Sequence, residues 1–137
     1  MIRKFLLLLF ALSCFSCVTE PIDGPKDSAH TKEAVELYVQ LGLGYVRQGQ
    51  TDIALTKFQR ALKLDPKSVM THTAMAMAYT QANRSRLAEE AFEKAIKYGP
   101  KDASANFNYG VYLCGQKKAA LGMKHFKVSL HDETNKV

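Results

Sequence analysis

The sequence predicts an all-α solenoid of about three helix-turn-helix repeats, and three observations lead there. First, residue types recur at an offset of 34: Tyr45 is matched by Tyr79, Ala54 by Ala88, Phe58 by Phe92, Ala61 by Ala95 and Pro66 by Pro100. Second, the offset continues less cleanly beyond Ala103, where Gly42 and Ala76 are matched by Gly110, Phe58 and Phe92 by Phe126, and Leu62 and Ile96 by Leu130. Third, Tyr38, Leu41, Gly42 and Tyr45 are spaced three and four apart, which places them on one face of a helix. An ordinary helical bundle needs no fixed register of this kind.

A period of 34 with this residue order is the tetratricopeptide signature. The repeats are expected over residues 35–68, 69–102 and 103–136, the last degenerate. Small residues at Gly42, Ala54 and Ala61 let two helices approach closely, and Phe58 fills the space between them. Pro66 stops the second helix, because proline lacks the N–H and disfavours helix in the residue before it.

Residues 1–16 read as a secretory signal. Arg3 and Lys4 precede an apolar run, Phe5 to Leu12, that is far shorter than the roughly 20 residues of a spanning helix. Ser13-Cys14 and Ser16-Cys17 both place a small residue before a cysteine, as lipoprotein signals do. Cys17 is the favoured lipidation site and Cys14 the alternative, since Cys14 leaves only a short stretch ahead of it. The bacterial sorting rule implied by that likeness sends the protein to the outer membrane, because valine or phenylalanine, not aspartate, follows the cysteine. Several acyl chains would make a durable anchor, whereas one binds only marginally.

Residues 17–31 read as the lipidated N-terminus and a tether, with two prolines, a glycine and no periodicity. Fourteen extended residues reach about 50 Å. The repeat domain is expected over 32–137. Its helices should run over 32–48, closed by Gly49, then 52–64, 69–82, 86–98, 103–114 and 118–131. Thr51, Ser68, Ser85 and Asp102 are the expected N-caps.

Composition excludes more than it identifies. The chain carries 19 basic and 13 acidic residues, a net charge of +6. Opposite charges are interspersed, and no basic run with interleaved aromatics supports nucleic-acid binding. The four histidines, His30, His72, His125 and His131, lack metal-ligand spacing, and no phosphate loop or nucleophile motif is present. No cofactor, metal site, small-molecule substrate or enzymatic activity is expected. His72 stands where these repeats place a large packing residue. Cys114 is expected to pack as a small apolar side chain near a helix end.

A binding surface remains. The first helix of each repeat lines a groove, and its groove-facing positions are expected to be Val39, Leu43 and Val46, then Thr73, Met77 and Thr80, then Phe107 and Val111. That set is apolar for an exposed face and suits an apolar helix or extended segment. The competing reading is that the chain itself covers these residues.

Cys17-Val18-Thr19, the run from Tyr38 to Tyr45, Gly49-Gln50-Thr51, the run from Ala61 to Pro66, and Asn108-Tyr109-Gly110 resemble the PilF/PilW family of outer-membrane lipoproteins in type IV pilus biogenesis. The resemblance implies a pilotin, which helps a secretin subunit reach the outer membrane and assemble. It implies Cys17 as the lipid site, Leu41 as support for the first helix, and Val39 and Leu43 as partner contacts. Members usually carry about six repeats. Two other readings stay open: a general envelope adaptor for a peptidoglycan enzyme or protease, and a truncated, non-functional fragment.

Overall fold

A computed structural model describes residues 28–134. The signal segment, Cys14, Cys17 and most of the expected tether lie outside the described residues. Six helices follow in order: α1 Ser28–Arg47, α2 Thr51–Leu64, α3 Val69–Gln81, α4 Ser85–Tyr98, α5 Ala103–Gly115 and α6 Ala119–Thr134. They form three antiparallel hairpins, α1/α2, α3/α4 and α5/α6, stacked along one axis. Counting positions from Val35, Val69 and Ala103 gives each repeat the same numbering.

Each hairpin closes on one pair of faces. In the first two repeats Ala54, Phe58 and Ala61, then Ala88, Phe92 and Ala95, are all buried. Gly42 packs flat on Phe58, and Gly110 on Phe126, where an added Cβ would stand 2.6 Å from the ring. Between stacked repeats the first helices touch in series, α1 on α3 and α3 on α5. The second helices do not: no Cα of α2 lies within 8 Å of one in α4. A hollow of about 160 Å³ separates them, lined by Leu62, His72, Met75, Tyr79 and Ala91 among others.

The turn inside each hairpin uses one device three times. Gly49, Asn83 and Lys117, each 34 apart, have φ of 73°, 57° and 61°. The next N–H then returns to the helix: Gln50 to Tyr45 at 2.9 Å, Arg84 to Tyr79 at 2.8 Å and Lys118 to Leu113 at 2.9 Å. This is the Schellman closure that a left-handed residue permits.

Four expectations are corrected here. Residues 28–31 are the first turn of α1 and not tether. Thr51 and Ser85 are the first helical residues of α2 and α4, and the caps before them, Gln50 and Arg84, make no side-chain capping bond. Cys114 is exposed, with only its Sγ set against Gly122 of α6. It stands at position twelve, where Val46 in the first repeat is buried. Ser68 and Asp102 do cap as expected, accepting from the N–H groups of Thr71 at 3.2 Å and Ala105 at 2.7 Å. His72 is a satisfied packing residue, buried with Nε2 3.1 Å from the Pro66 carbonyl and its ring 5.4 Å from that of Tyr98.

Candidate functional site

Stacking the first helices places position five of one repeat beside the next repeat and leaves a furrow along their line. Its central hollow, about 350 Å³, is lined by Val39, Gln40, Leu43, Met70, Thr73, Ala74 and Met77 on one side and by Asp102, Ser104 and Asn108 on the other. A second hollow of about 740 Å³ adjoins it through Met70 and Asp102 and runs between α1 and the α2–α3 turn, past Val35, Glu36 and Leu64. The furrow therefore has an apolar wall and a polar one.

The walls are held by local bonds. Thr73 Oγ1 donates to the Val69 carbonyl at 2.9 Å, which ties the buried hydroxyl to its own helix. Asn108 Nδ2 donates to the Ser104 carbonyl at 2.8 Å, leaving its Oδ1 as an acceptor at the rim. Asp102 spends one carboxylate oxygen on the N-cap of α5. Such a surface can accept an amphipathic segment, apolar on the side of Leu43 and Met77 and able to donate hydrogen bonds toward Asn108 and Asp102.

The expected groove residues separate into three groups. Val39, Leu43 and Met77 are gathered at the central hollow. Val39 is at its floor and belongs to the core, only 1% exposed, and Val46 is likewise buried in the core. Both were expected to face the groove. They are covered because α3 lies directly on α1, and Gln81 of α3 donates to the Val46 carbonyl at 3.0 Å. Leu43 is partly buried against the same core. Phe107 and Val111 do not line the hollow. Both are exposed on α5, and the Phe107 ring lies 5.8 Å from that of Phe126 on α6. Leu41, expected to support α1, is 47% exposed, because no earlier repeat covers that side within the described residues.

Thr73 also lines the hollow as expected, whereas Met70, Gln40, Ala74, Ser104 and Asn108 line it without having been expected at the groove. They hold positions two and six of the repeat, so the 34-residue register could have found them once positions five and nine were chosen. Among the described residues no group of three or more His, Cys, Asp or Glu is placed to hold a metal ion, and no helix is long and apolar enough to cross a membrane.

Comparison with known proteins gives the same repeat. Two tetratricopeptide-repeat models match residues 35–68 and 73–133, together more than half of the chain. The type IV pilus assembly protein PilF of Pseudomonas aeruginosa is 35% identical over 118 residues, covering 85% of this chain and 47% of the relative. The solved structure of Pseudomonas aeruginosa PilF superposes with a TM-score of 0.73 at 31% identity, over 77% of this chain and 48% of that one. That of PilW, described as a widely conserved type IV pilus biogenesis factor, gives 0.69 at 31% identity, over 74% and 47%. The chain spans about half the length of these relatives.

Proposed function

The chain belongs to the tetratricopeptide-repeat family, and on that premise we propose that it acts in type IV pilus biogenesis as an outer-membrane lipoprotein of the pilotin kind. Similarity to PilF and PilW supports the process. The observation that carries the mode of action is the two-walled furrow, with Leu43, Met70 and Met77 along its apolar side. In this reading it grips an amphipathic segment of a secretin subunit, and a lipid on Cys17 holds the complex at the membrane. Burial of apolar area, at about 25 cal/mol per Å², drives the grip, and hydrogen bonds to the Asn108 and Asp102 side set the orientation of the segment. Met77 suits this part because it is 40% exposed and unbranched, so it can adapt to its occupant.

The test uses the full chain recovered from membranes, with its captured partners identified by mass spectrometry. Wild type should bring down secretin subunits, and Met77→Glu should lose them while keeping helical content and thermal midpoint. Recovery of peptidoglycan enzymes or proteases in their place would establish the adaptor reading instead. Anchoring is tested separately by palmitate labelling of Cys17→Ser and Cys14→Ala. Label lost only from Cys17→Ser supports the proposal, label lost only from Cys14→Ala moves the site, and label retained in the double variant refutes lipidation.

A further inference from the structure

The same positions of the repeat are covered in one place and bare in another. Position five is Val39, Thr73 and Phe107; the first two are buried, and Phe107 is 54% exposed. Position nine is half-buried Leu43, then Met77 at 40% and Val111 at 52% exposed, so its exposure rises along the stack. On the second helix, Leu62 and Ile96 are half-buried, while Leu130 at the same position is 65% exposed. What covers Val39 and Thr73 is the following repeat, and none of the described residues follows α6 onto this face.

The opposite end shows the converse pattern. Position three is Thr71 and Ala105 in the later repeats, both fully buried, but Leu37 in the first, 60% exposed. Position seven is Met75, packed against the core, and buried Tyr109; in the first repeat it is exposed Leu41. Beside it Gly44, Tyr45 and Gln48 form a shallow hollow. The described residues therefore carry, on their first and last repeats, the two halves of an interface that is built twice internally.

We propose that copies of this chain associate head to tail, the Leu37–Leu41–Gly44 face of one copy docking on the Phe107, Val111 and Leu130 face of the next, as α3 docks on α1 and α5 on α3. Continuity with the internal interface argues for a second copy as the occupant, and charge agrees. Inside the molecule position sixteen forms an ion pair with the preceding repeat: Arg84 with Asp52 at 3.2 Å and Lys118 with Glu89 at 2.6 Å. At the intermolecular junction the corresponding residues are Gln50 on one side and Ala120 and Met123 on the other. Both sides of this pair lose their charge together, so neither strands a partner of the other. Because such a contact is heterologous, it does not close on itself after two copies.

The test is sedimentation of the purified full chain in non-ionic detergent with reductant, across concentrations up to the hundred-micromolar range. The wild-type mass should rise steadily without a plateau at two copies. Leu37→Glu alone and Val111→Glu alone should each stay monomeric, and an equimolar mixture should form a 1:1 complex, because each supplies the face that the other lacks. Circular dichroism confirms that each variant is folded, and Leu130→Glu replaces Val111→Glu if that variant is not. A monomeric wild type throughout would overturn the proposal, including the case in which residues 1–27 cover either face. Self-association of Leu37→Glu undiminished from wild type would overturn it in favour of the α5/α6 face pairing with itself.

Discussion

The side-chain carbonyl of Asn106 accepts a hydrogen bond from Nδ1 of His125 at 2.8 Å and so ties α5 to α6. The amide end of Asn106 is already committed, donating to the carbonyls of Pro100 at 3.0 Å and Asp102 at 2.9 Å. Oδ1 is thus the free acceptor, and the proton of His125 sits on Nδ1.

Burial pushes the imidazoles of His125 and His72 below their usual value of 6.5; for His72 the nearby Lys94 adds to the effect, and the bond to Pro66 opposes it. The unfolded chain therefore binds more protons than the folded one as pH falls through 6.5, and stability rises with pH across that window. The thermal midpoint should drop between pH 7.5 and pH 5.5, and His125→Gln should flatten part of that slope. A midpoint that is constant or higher at pH 5.5 would show that neither histidine is held neutral by the fold.

Gly110 and Gly115 lie on one helix and should respond oppositely to alanine. A Cβ at Gly110 would meet Phe126 at 2.6 Å and the Gly122 carbonyl at 3.1 Å, whereas one at Gly115 meets nothing within 4 Å. Gly110→Ala should cost about 1–3 kcal/mol, the range for overpacking. Gly115→Ala should be neutral or stabilise by up to about 0.5 kcal/mol, since alanine loses less backbone freedom. Chemical denaturation of both variants checks the contrast, and equal effects would mean that α5 and α6 are not in close register.

Lys117 holds a left-handed conformation that Gly49 holds in the first repeat. A side chain there costs about 1–2 kcal/mol, partly offset by the extra freedom glycine has when unfolded. Lys117→Gly is expected to stabilise by about 0.5–1 kcal/mol, read as a shift in denaturation midpoint at unchanged slope. Loss of stability would mean that the lysine side chain makes a compensating contact.

Among the described residues α6 packs on α5 alone, while α2 packs on α1 and α3, and α4 on α3 and α5. Segments with few buried contacts open at the lowest free energy. In hydrogen exchange at low micromolar concentration, α6 amides should exchange faster than those of α2 and α4. Equal protection in a demonstrated monomer would reveal a cap on α6 supplied by residues outside 28–134.

The repeat itself was legible because Tyr45, Phe58, Ala61 and their partners at an offset of 34 constrain one another, so a single register explains all of them. The corrected assignments share a physical cause. Whether Val39 or Val46 is floor or rim depends on how the following helix lies across α1, which the local spacing of either residue does not contain. The same dependence left Cys114 and Leu130 exposed when their counterparts Val46 and Leu62 are covered to differing degrees. Phe126 and Leu130 hold the repeat positions of Phe58 and Leu62, yet Phe126 is only half-buried and Leu130 is 65% exposed. Thr51 and Ser85 looked like caps because hydroxyls at helix starts usually are; each instead stands one residue inside its helix, a one-residue offset that local sequence does not mark.

The gap between α2 and α4 has a mechanical meaning. Contacts run in series along the first helices, so that line acts as a fulcrum, and the unfilled space behind it is where the stack can yield. The bridge across the gap from Asp52 to Arg84 is on the surface and resists bending weakly. Closing the gap must splay the furrow on the opposite side, and widening it must pinch the furrow. A wedge set in the back, such as Ala91→Leu, is then expected to change the hold on a segment in the furrow without touching it. Affinity unchanged in a folded Ala91→Leu variant would show instead that the two hairpins move as one stiff body.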